Sequence, residues 1–292
     1  MRLLHEKSYF DNKAMEINLG DERIMVLHAK YSADKIREKA MVKRIDIFGL
    51  IAKLIQRVQP EDIKISTFQK RLEPFWFVAA SSRYIYDRRH KYHIEVAPKV
   101  HAVTVHGNKY SVIGEGNNAI ELEALDHCTE EFKRELIVDA FNGNVVDFKK
   151  YLSYPKSEVP DIAALKNDGT IVVPPEILSS FVVRKMVLQL IKTIQADAVH
   201  EEKINISEVT LFYRPVYAVE YFWKDKNKKK VVEFDALTGE AKLEDGAIKK
   251  QVTKVLENNN FFDFSADAAG TLIPGANLVV KLGRMAASKV IQ

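Results

Sequence analysis

Cysteine is almost absent from this sequence, in which Cys128 is the only one among 292 residues. A single cysteine cannot form a disulfide within the chain, which excludes a disulfide-stapled fold and favours a reducing compartment. Apolar runs of the ~18 residues that a membrane-spanning helix needs are also missing. The first residues become charged before a signal-peptide core can form. We therefore expect a cytoplasmic protein without a transmembrane segment.

The short signatures of well-known enzyme classes are missing as well. The sequence contains no G-x-S-x-G, no H-E-x-x-H and no G-x-x-x-x-G-K-[ST]. The net charge of +4 is small for this length and does not by itself indicate a nucleic-acid-binding protein. The absence of these signatures does not exclude an enzyme, but it gives no reason to name a reaction. The first expectation is a non-catalytic binding or regulatory protein.

Two stretches of the chain repeat the same spacing of residues. In each, an Ile-Ser pair is followed by seven residues and then a proline, Pro74 in the first stretch and Pro215 in the second. An alternating aromatic strand follows each proline, and each stretch later contains Asp-Ala-x-x-Gly, at Asp139–Gly143 and Asp235–Gly239. Aspartate can accept backbone N–H bonds and glycine tolerates positive φ, so Asp139, Gly143, Asp235 and Gly239 predict two tight structural turns.

The repeated pattern predicts an α+β fold built from a duplicated helix plus antiparallel-sheet unit. We expect binding on the exposed sheet faces or in a groove between the two units, where ligands commonly bind. Pro174-Pro175-Glu176 predicts the start of the helix of the second unit. The predicted division is a first αβ unit over residues 1–150 with a β-rich insertion at about 87–131, a linker over 151–170, a second αβ unit over 171–260, and a C-terminal tail over 261–292 with a short amphipathic helix.

The segment VVEFDALTGEAKL resembles the closing strand of PepSY-type modules, which are small cystatin-like units of a helix on an antiparallel sheet. The matching residues are Asp235, Ala236, Thr238, Gly239 and Glu240. The resemblance lies mainly around residues 176–243. It implies a non-catalytic binding or regulatory role, with a protein or peptide as the expected partner.

Histidine is concentrated in residues 90–128, inside the insertion. Imidazole and thiolate are the usual zinc ligands, which makes a metal-dependent protein or enzyme an alternative function. The alternative interpretation is that the histidines lie on the surface of a hairpin and that the cysteine is a small core residue. The candidate zinc ligands are His93, His101, His106, His127 and Cys128.

Two basic segments, residues 83–93 and 224–230, are predicted to form hairpin turns flanked by tyrosine and tryptophan. Aromatic rings beside lysine and arginine can stack on bases and bind phosphates, so a polyanion or nucleic-acid binder is a second alternative. Charged residues are equally typical of solvated turns. The candidate polyanion-binding residues are Arg88, Arg89, Lys91, Lys226, Lys228, Lys229 and Lys230.

Two further patterns suggest binding. Gly114-Glu-Gly116-Asn-Asn-Ala119 follows a strand-like run and matches G-x-G-x-x-A, a dinucleotide fingerprint if a helix follows it. The same residues also suit a loop between antiparallel strands. Residues 275–292 can form a helix with a basic polar face, which indicates a membrane surface, a partner groove or the protein's own core as its contact.

Overall fold

The computed structural model describes residues 15–48, 59–113, 118–165, 169–243, 249–250 and 252. Two α-helices, α1 (Ala33–Lys43) and α2 (Ser179–Leu190), lie against a large sheet. Short 3₁₀ helices occur at Asp46–Phe48, Pro60–Asp62, Lys149–Ser153 and Ala163–Leu165. The strands are β1 (Glu16–Leu19), β2 (Glu22–Leu27), β3 (Ile63–Glu95), β4 (Ala102–Val105), β5 (Asn108–Ile113), β6 (Ala119–Asp139), β7 (Lys156–Val159), β8 (Ile171–Val172), β9 (Ala198–Trp223), β10 (Lys228–Asp235) and β11 (Ala241–Leu243).

Two very long antiparallel strands, β3 and β9, form the centre of the sheet and pair from Ile63 to Asp87. The neighbouring strands follow the order β11-β10-β9-β3-β6-β5-β4. Strands β1 and β2 run parallel to the first half of β9, and β8 runs parallel to β3. Beyond Asp87, β3 continues with β6 as a ribbon that β9 does not reach.

Each central strand contains a proline at the place where its outer neighbour changes. On β3, β8 pairs with the two residues that precede Glu73, and β6 pairs from Phe75 onward. On β9, β2 pairs up to Tyr213 and β10 pairs from Val216 onward. Proline has no N–H to donate, so it fits the position of a central strand at which no outer strand pairs with it. Pro74 and Pro215 occupy these two junctions.

The predicted fold class, a duplicated helix plus antiparallel-sheet unit, is wrong. The described residues are mostly strand and form one large curled sheet. The two stretches that share the proline spacing lie side by side at the centre of this sheet and pair with each other. Backbone pairing between the two stretches therefore replaces the separate sheet that each was expected to form.

The turn expected within residues 83–93 is absent, because β3 passes straight through this segment. Its polar residues suggested a turn, but side chains of the neighbouring strands satisfy them. Arg88 Nη2 lies 3.3 Å from Asp126 Oδ2 on β6, and Tyr92 donates a 2.7 Å hydrogen bond to Asp126 Oδ1. Polar side chains with cross-strand partners are compatible with a continuous strand.

One face of the sheet carries the helices. Ile36 and Ala40 of α1 pack on the second half of β9 and on β10, while Val182, Met186 and Leu190 of α2 pack on β3, β6 and the first half of β9. Tyrosines from the sheet donate to carbonyls in the last turn of each helix, where intrahelical partners are lacking. The bonds run from Tyr221 to the Ala40 oxygen at 2.9 Å and from Tyr84 to the Leu190 oxygen at 2.6 Å.

Helix α2 begins at Ser179, later than the prolines had indicated. The backbone N–H groups of Glu176 and Ile177 donate to the Ala140 carbonyl, which holds this segment extended against the turn after β6. Trp76 adds a 2.7 Å bond from its indole Nε1 to the Ile177 carbonyl. Because of these contacts, the helix begins only after this segment, at Ser179.

The opposite face of the sheet carries an aromatic core. Phe75 and Phe77 of β3 point to this face, whereas Trp76 and Val78 point to α2, as alternation along a strand requires. Residues 146–154 cover the aromatic core, and Tyr151 among them is buried. Buried side chains also occur further along 151–170, the segment expected to be a linker, at Ile162 and Leu165.

The two Asp-Ala-x-x-Gly segments have the same local structure. Asp139 Oδ1 accepts the N–H groups of the residues two and three positions ahead at 2.8 and 3.1 Å. Asp235 Oδ1 accepts the corresponding groups at 2.7 and 3.1 Å. Gly143 and Gly239 both have φ of +73°, a conformation that favours glycine. Each aspartate therefore closes a tight turn at the end of a strand.

Replacing Gly239 by alanine should destabilise the fold more than the same change at Gly107. Both glycines have positive φ, so both variants lose about 1 kcal/mol through the backbone. A Cβ at Gly239 would also lie 3.0 Å from the Tyr31 ring, whereas nothing lies within 4 Å at Gly107. Urea unfolding of both variants measures the difference. Equal losses of unfolding free energy would show that the Tyr31 contact does not constrain the turn.

Candidate functional site

A network of buried charges lies on the aromatic face, between the prolines of the central strands. Arg214 Nη2 donates to Glu73 Oε2 at 2.5 Å, and Nη1 lies 3.3 Å from Asp235 Oδ2. The Tyr151 hydroxyl donates to the same Asp235 oxygen. The side chains of Arg214 and Glu73 are 7% and 1% exposed. Two carboxylates and a hydroxyl therefore surround a guanidinium that is almost fully removed from water.

A third carboxylate, that of Glu233, lies beside this network and is 1% exposed. Its Oε1 is 4.0 Å from Arg71 Nη1 and its Oε2 is 3.2 Å from Lys242 Nζ. Within the described residues, neither oxygen of Glu233 has a hydrogen bond of good geometry, and Oε1 of Glu73 has none either. A buried acceptor without a donor is costly and calls for an explanation.

Burial raises the pKa of Glu233 to about 7, and the nearby Glu73 carboxylate acts in the same direction. Lys242 and Arg214 oppose the rise. Burial also raises the pKa of Tyr151 well above its usual value, and its hydrogen bond to Asp235 adds to the rise. The Tyr151 phenol therefore keeps its proton at neutral pH, whereas Glu233 changes charge near neutral pH.

A cavity of 370 Å³ opens above this network and reaches solvent. Its volume lies in the range of small-molecule sites. We call it the Glu233 cavity. Its lining residues are Lys43, Phe148, Tyr151, Arg214, Val216, Glu233, Asp235, Glu240, Ala241 and Lys242.

Strand alternation places these charges on one face of the sheet. Arg71 and Glu73 are two residues apart on β3, as Glu233 and Asp235 are on β10, so each pair shares a face. Glu73 and Arg214 are directly opposite in the β3–β9 register. Each of these two residues immediately precedes a proline that begins a largely apolar run. That charge before each proline is the sequence signal that could have identified them.

Asp235 is a predicted turn residue, and the structure gives it a second role. Its Oδ1 closes the turn after β10, and its Oδ2 is bound by Tyr151 and Arg214. The turn therefore determines where the second oxygen meets the network. Oδ1 of Asp139, its counterpart, accepts the turn hydrogen bonds from the N–H groups of Phe141 and Asn142.

The candidate zinc ligands lie on the ribbon and around its base. His127 Nδ1 is 2.7 Å from Asp87 Oδ1, and His200, absent from the predicted set, is 2.7 Å from the other oxygen of Asp87. Cys128 follows His127 on the same strand and points to the other face. The nearest acidic partner of His93 is Glu121, at 3.7 Å.

His101 and His106 are exposed and lie beside and after the short strand β4. Across the described ranges of the chain, no group of three or more His, Cys, Asp or Glu side chains could hold a metal ion. The structure therefore does not bring the predicted ligands together, and zinc binding stays a prediction.

The candidate polyanion-binding residues divide between two distant places. Residues 224–227 form the β9–β10 turn and residues 228–230 begin β10, beside the start of β3, whereas residues 88–91 lie near the end of β3. Several of the cations have partners: Arg88 pairs with Asp126 at 3.3 Å, Lys91 with Glu121 at 2.6 Å and Lys229 with Glu220 at 3.0 Å. Lys230 donates to a backbone carbonyl. Arg89, Lys226 and Lys228 are exposed.

The two other suggested sites lie largely outside the described residues. Residues 114–117 of the glycine pattern are not described, and Ala119 begins the strand β6 rather than the helix that a dinucleotide fingerprint needs. Residues 275–292, the possible membrane-surface helix, and the rest of the 261–292 tail also lie outside.

Comparison of the chain with protein-family models, with curated proteins and with solved structures gave no match. The resemblance to PepSY-type modules therefore stays a prediction. In the part of the chain that the structure describes, no helix combines the length and apolar character needed to cross a membrane.

Replacing Arg214 by methionine should lower the free energy of unfolding by about 3–5 kcal/mol, because Glu73 and Asp235 would remain buried without their cation. The matched control is Arg83→Met, which removes an ion pair with Glu131 whose side chains are 51% and 62% exposed. Such a surface pair contributes only about 0–1 kcal/mol. Chemical denaturation measures both variants. Similar losses in the two would mean that the buried network does not stabilise the sheet.

Replacing Glu233 by glutamine should change how stability depends on pH. A carboxyl whose pKa rises to about 7 on folding binds its proton more tightly in the folded state, so stability decreases as the pH rises from 4.5 to 7. Glutamine cannot ionise and removes this decrease. We expect the variant to gain about 2–3 kcal/mol relative to the wild type between pH 5 and pH 8. Parallel stability curves over this range would contradict the raised pKa.

Proposed function

We propose that this protein binds a small polar molecule in the Glu233 cavity. The observation that carries the proposal is the Glu233 carboxylate, which is 1% exposed, lines the cavity and has no well-formed hydrogen bond among the described residues. Carboxylate oxygens accept strongly from N–H and O–H groups. A ligand in the cavity would supply well-aligned donors in addition to the Lys242 ammonium, which lies 3.2 Å from Oε2.

The energetics of the network support a functional interpretation. Charges such as those of Glu73, Arg214 and Glu233 lose their hydration on burial, and apolar residues of similar volume often give equal or greater stability. The helix-bearing face of this sheet is filled mainly with apolar side chains. Functional sites are expected where a protein buries charged groups in place of apolar side chains.

The surroundings of Glu233 are suited to holding a ligand in one orientation. Arg214 is fixed by two carboxylates, and its Cζ lies 5.2 Å from the centre of the Phe148 ring. Phe148 packs edge-on against Phe75 at 5.4 Å, which holds it as a wall of the cavity. Polar groups held by strands and packed rings keep their geometry when the ligand is absent.

The same contacts suit a binding role better than the alternative functions. The candidate zinc ligands are separated, and many of the candidate polyanion-binding residues already have partners. The Glu233 cavity, by contrast, combines buried polar groups, an aromatic wall and access from solvent. This combination is typical of small-molecule sites.

A screen of polar small molecules by thermal shift and ligand-observed NMR tests the proposal. Compounds that bind the cavity should raise the melting temperature of the wild type, because they bind only the folded state. Glu233→Gln keeps the shape of the side chain but replaces one acceptor oxygen with a donor. This substitution should lower the affinity for the compounds that bind by about tenfold or more, which corresponds to the loss of one charge-assisted hydrogen bond.

Glu121→Gln is the matched control, since Glu121 pairs with Lys91 on the ribbon and does not line the cavity. It should leave the affinities unchanged. Compounds that bind both variants as tightly as the wild type would place the site elsewhere. A screen that finds no binder at millimolar concentrations would overturn the proposal.

A further inference from the structure

Building on the proposed function, we infer that the ligand of the Glu233 cavity is a polyhydroxylated anion, such as a sugar phosphate or a sugar acid. Its hydroxyl groups would donate to Glu233 on the floor of the cavity. Its anionic group would lie at the mouth, between Lys43 and Lys242. The two ends of the cavity are lined by different charged groups, and each end limits a different part of the ligand.

The floor of the cavity favours neutral donors over cationic ones. Glu233 offers two oxygens, but Arg71 Nη1 lies 4.0 Å from one and Lys242 Nζ lies 3.2 Å from the other. Arg214, which lines the cavity and is already bound by Glu73 and Asp235, adds a third positive charge near the floor. An ammonium or guanidinium placed on Glu233 would meet these cations, whereas hydroxyl groups would not be repelled. Adjacent hydroxyls on one carbon chain match the two oxygens of one carboxylate.

The mouth of the cavity has an excess of positive charge. Lys43 and Lys242 line it together with Glu240, and Lys150 lies 3.4 Å from the Glu240 carboxylate. Two lysines and one glutamate therefore line this end of the cavity, and a third lysine lies beside that glutamate. Lys43 is exposed at the end of α1, and Lys242 is 54% exposed. Accessible ammonium groups of this kind attract phosphate and carboxylate groups.

Lys242 connects the two ends. In the structure it pairs with Glu233 Oε2 at 3.2 Å, although more than half of its side chain is exposed. An anion at the mouth would draw the Lys242 ammonium outward, and Oε2 would then be open to a hydroxyl of the ligand. The anionic group and the hydroxyl groups would thus assist each other's binding.

The wall between floor and mouth is apolar and aromatic. The rings of Phe148 and Tyr151 lie 5.0 Å apart, and Val216 lines the same space. The C–H faces of a sugar are apolar and can pack on such rings, while its hydroxyls point to Glu233. The wall thereby favours a carbon skeleton over a bare inorganic anion.

Isothermal titration with ribose 5-phosphate, glucose 6-phosphate, gluconate, the two parent sugars and inorganic phosphate tests the inference. At least one of the three anionic sugars should bind about tenfold or more tightly than both its uncharged parent and phosphate. Lys43→Gln should reduce that preference severalfold without changing the affinity for the parent sugar. Glu233→Gln should weaken the binding of both the sugar anion and its parent sugar.

Lys91→Gln is the control, because Lys91 is 60% exposed on the ribbon and lies outside the cavity. It should have no effect on any probe. Equal binding of sugars and sugar anions, tight binding of phosphate alone, or no binding of the anionic sugars would overturn the inference. If the broader screen still finds compounds that need Glu233, only the ligand class is wrong. If it finds none, the proposed function fails as well.

Discussion

The pairing of Glu73 with Arg214 is the contact around which this molecule is organised. The two residues are directly opposite on the central strands, and their side chains meet at 2.5 Å. Each is followed by a proline at a junction where its strand exchanges one outer neighbour for another. The ion pair therefore marks the point from which six strands extend, and moving it by one residue would turn every side chain to the opposite face.

Burial of this pair explains the chemistry around it. Arg214 needs further acceptors, and Asp235 supplies one at a position set by its own turn. Glu233 then shares a low-polarity space with Glu73, which raises its pKa to near neutrality. The carboxylates share a small set of cations, and one carboxylate is left facing the cavity without adequate donors. The burial of the Glu73–Arg214 pair thus underlies both the arrangement of the strands and the proposed binding role.

Several of the candidate site residues also make contacts that hold strands together. Asp87 lies between His127 and His200, so three neighbouring strands meet through one carboxylate. Arg88 and Lys91 pair across the ribbon with acidic residues of β6. The sequence showed the concentration of histidine and basic residues but not their partners, because those partners are 30 or more positions away along the chain.

The sequence by itself determined the local features: the turns at Asp139–Gly143 and Asp235–Gly239 and the existence of α2, although not its first residue. These depend on neighbours within a few positions, such as an aspartate oxygen meeting N–H groups two and three residues ahead. Only the tertiary structure decided that the two proline strands pair in one sheet, which buries Glu73, Arg214 and Glu233 beside a cavity. Strand pairing and burial depend on distant segments, and residue spacing does not encode which of them meet.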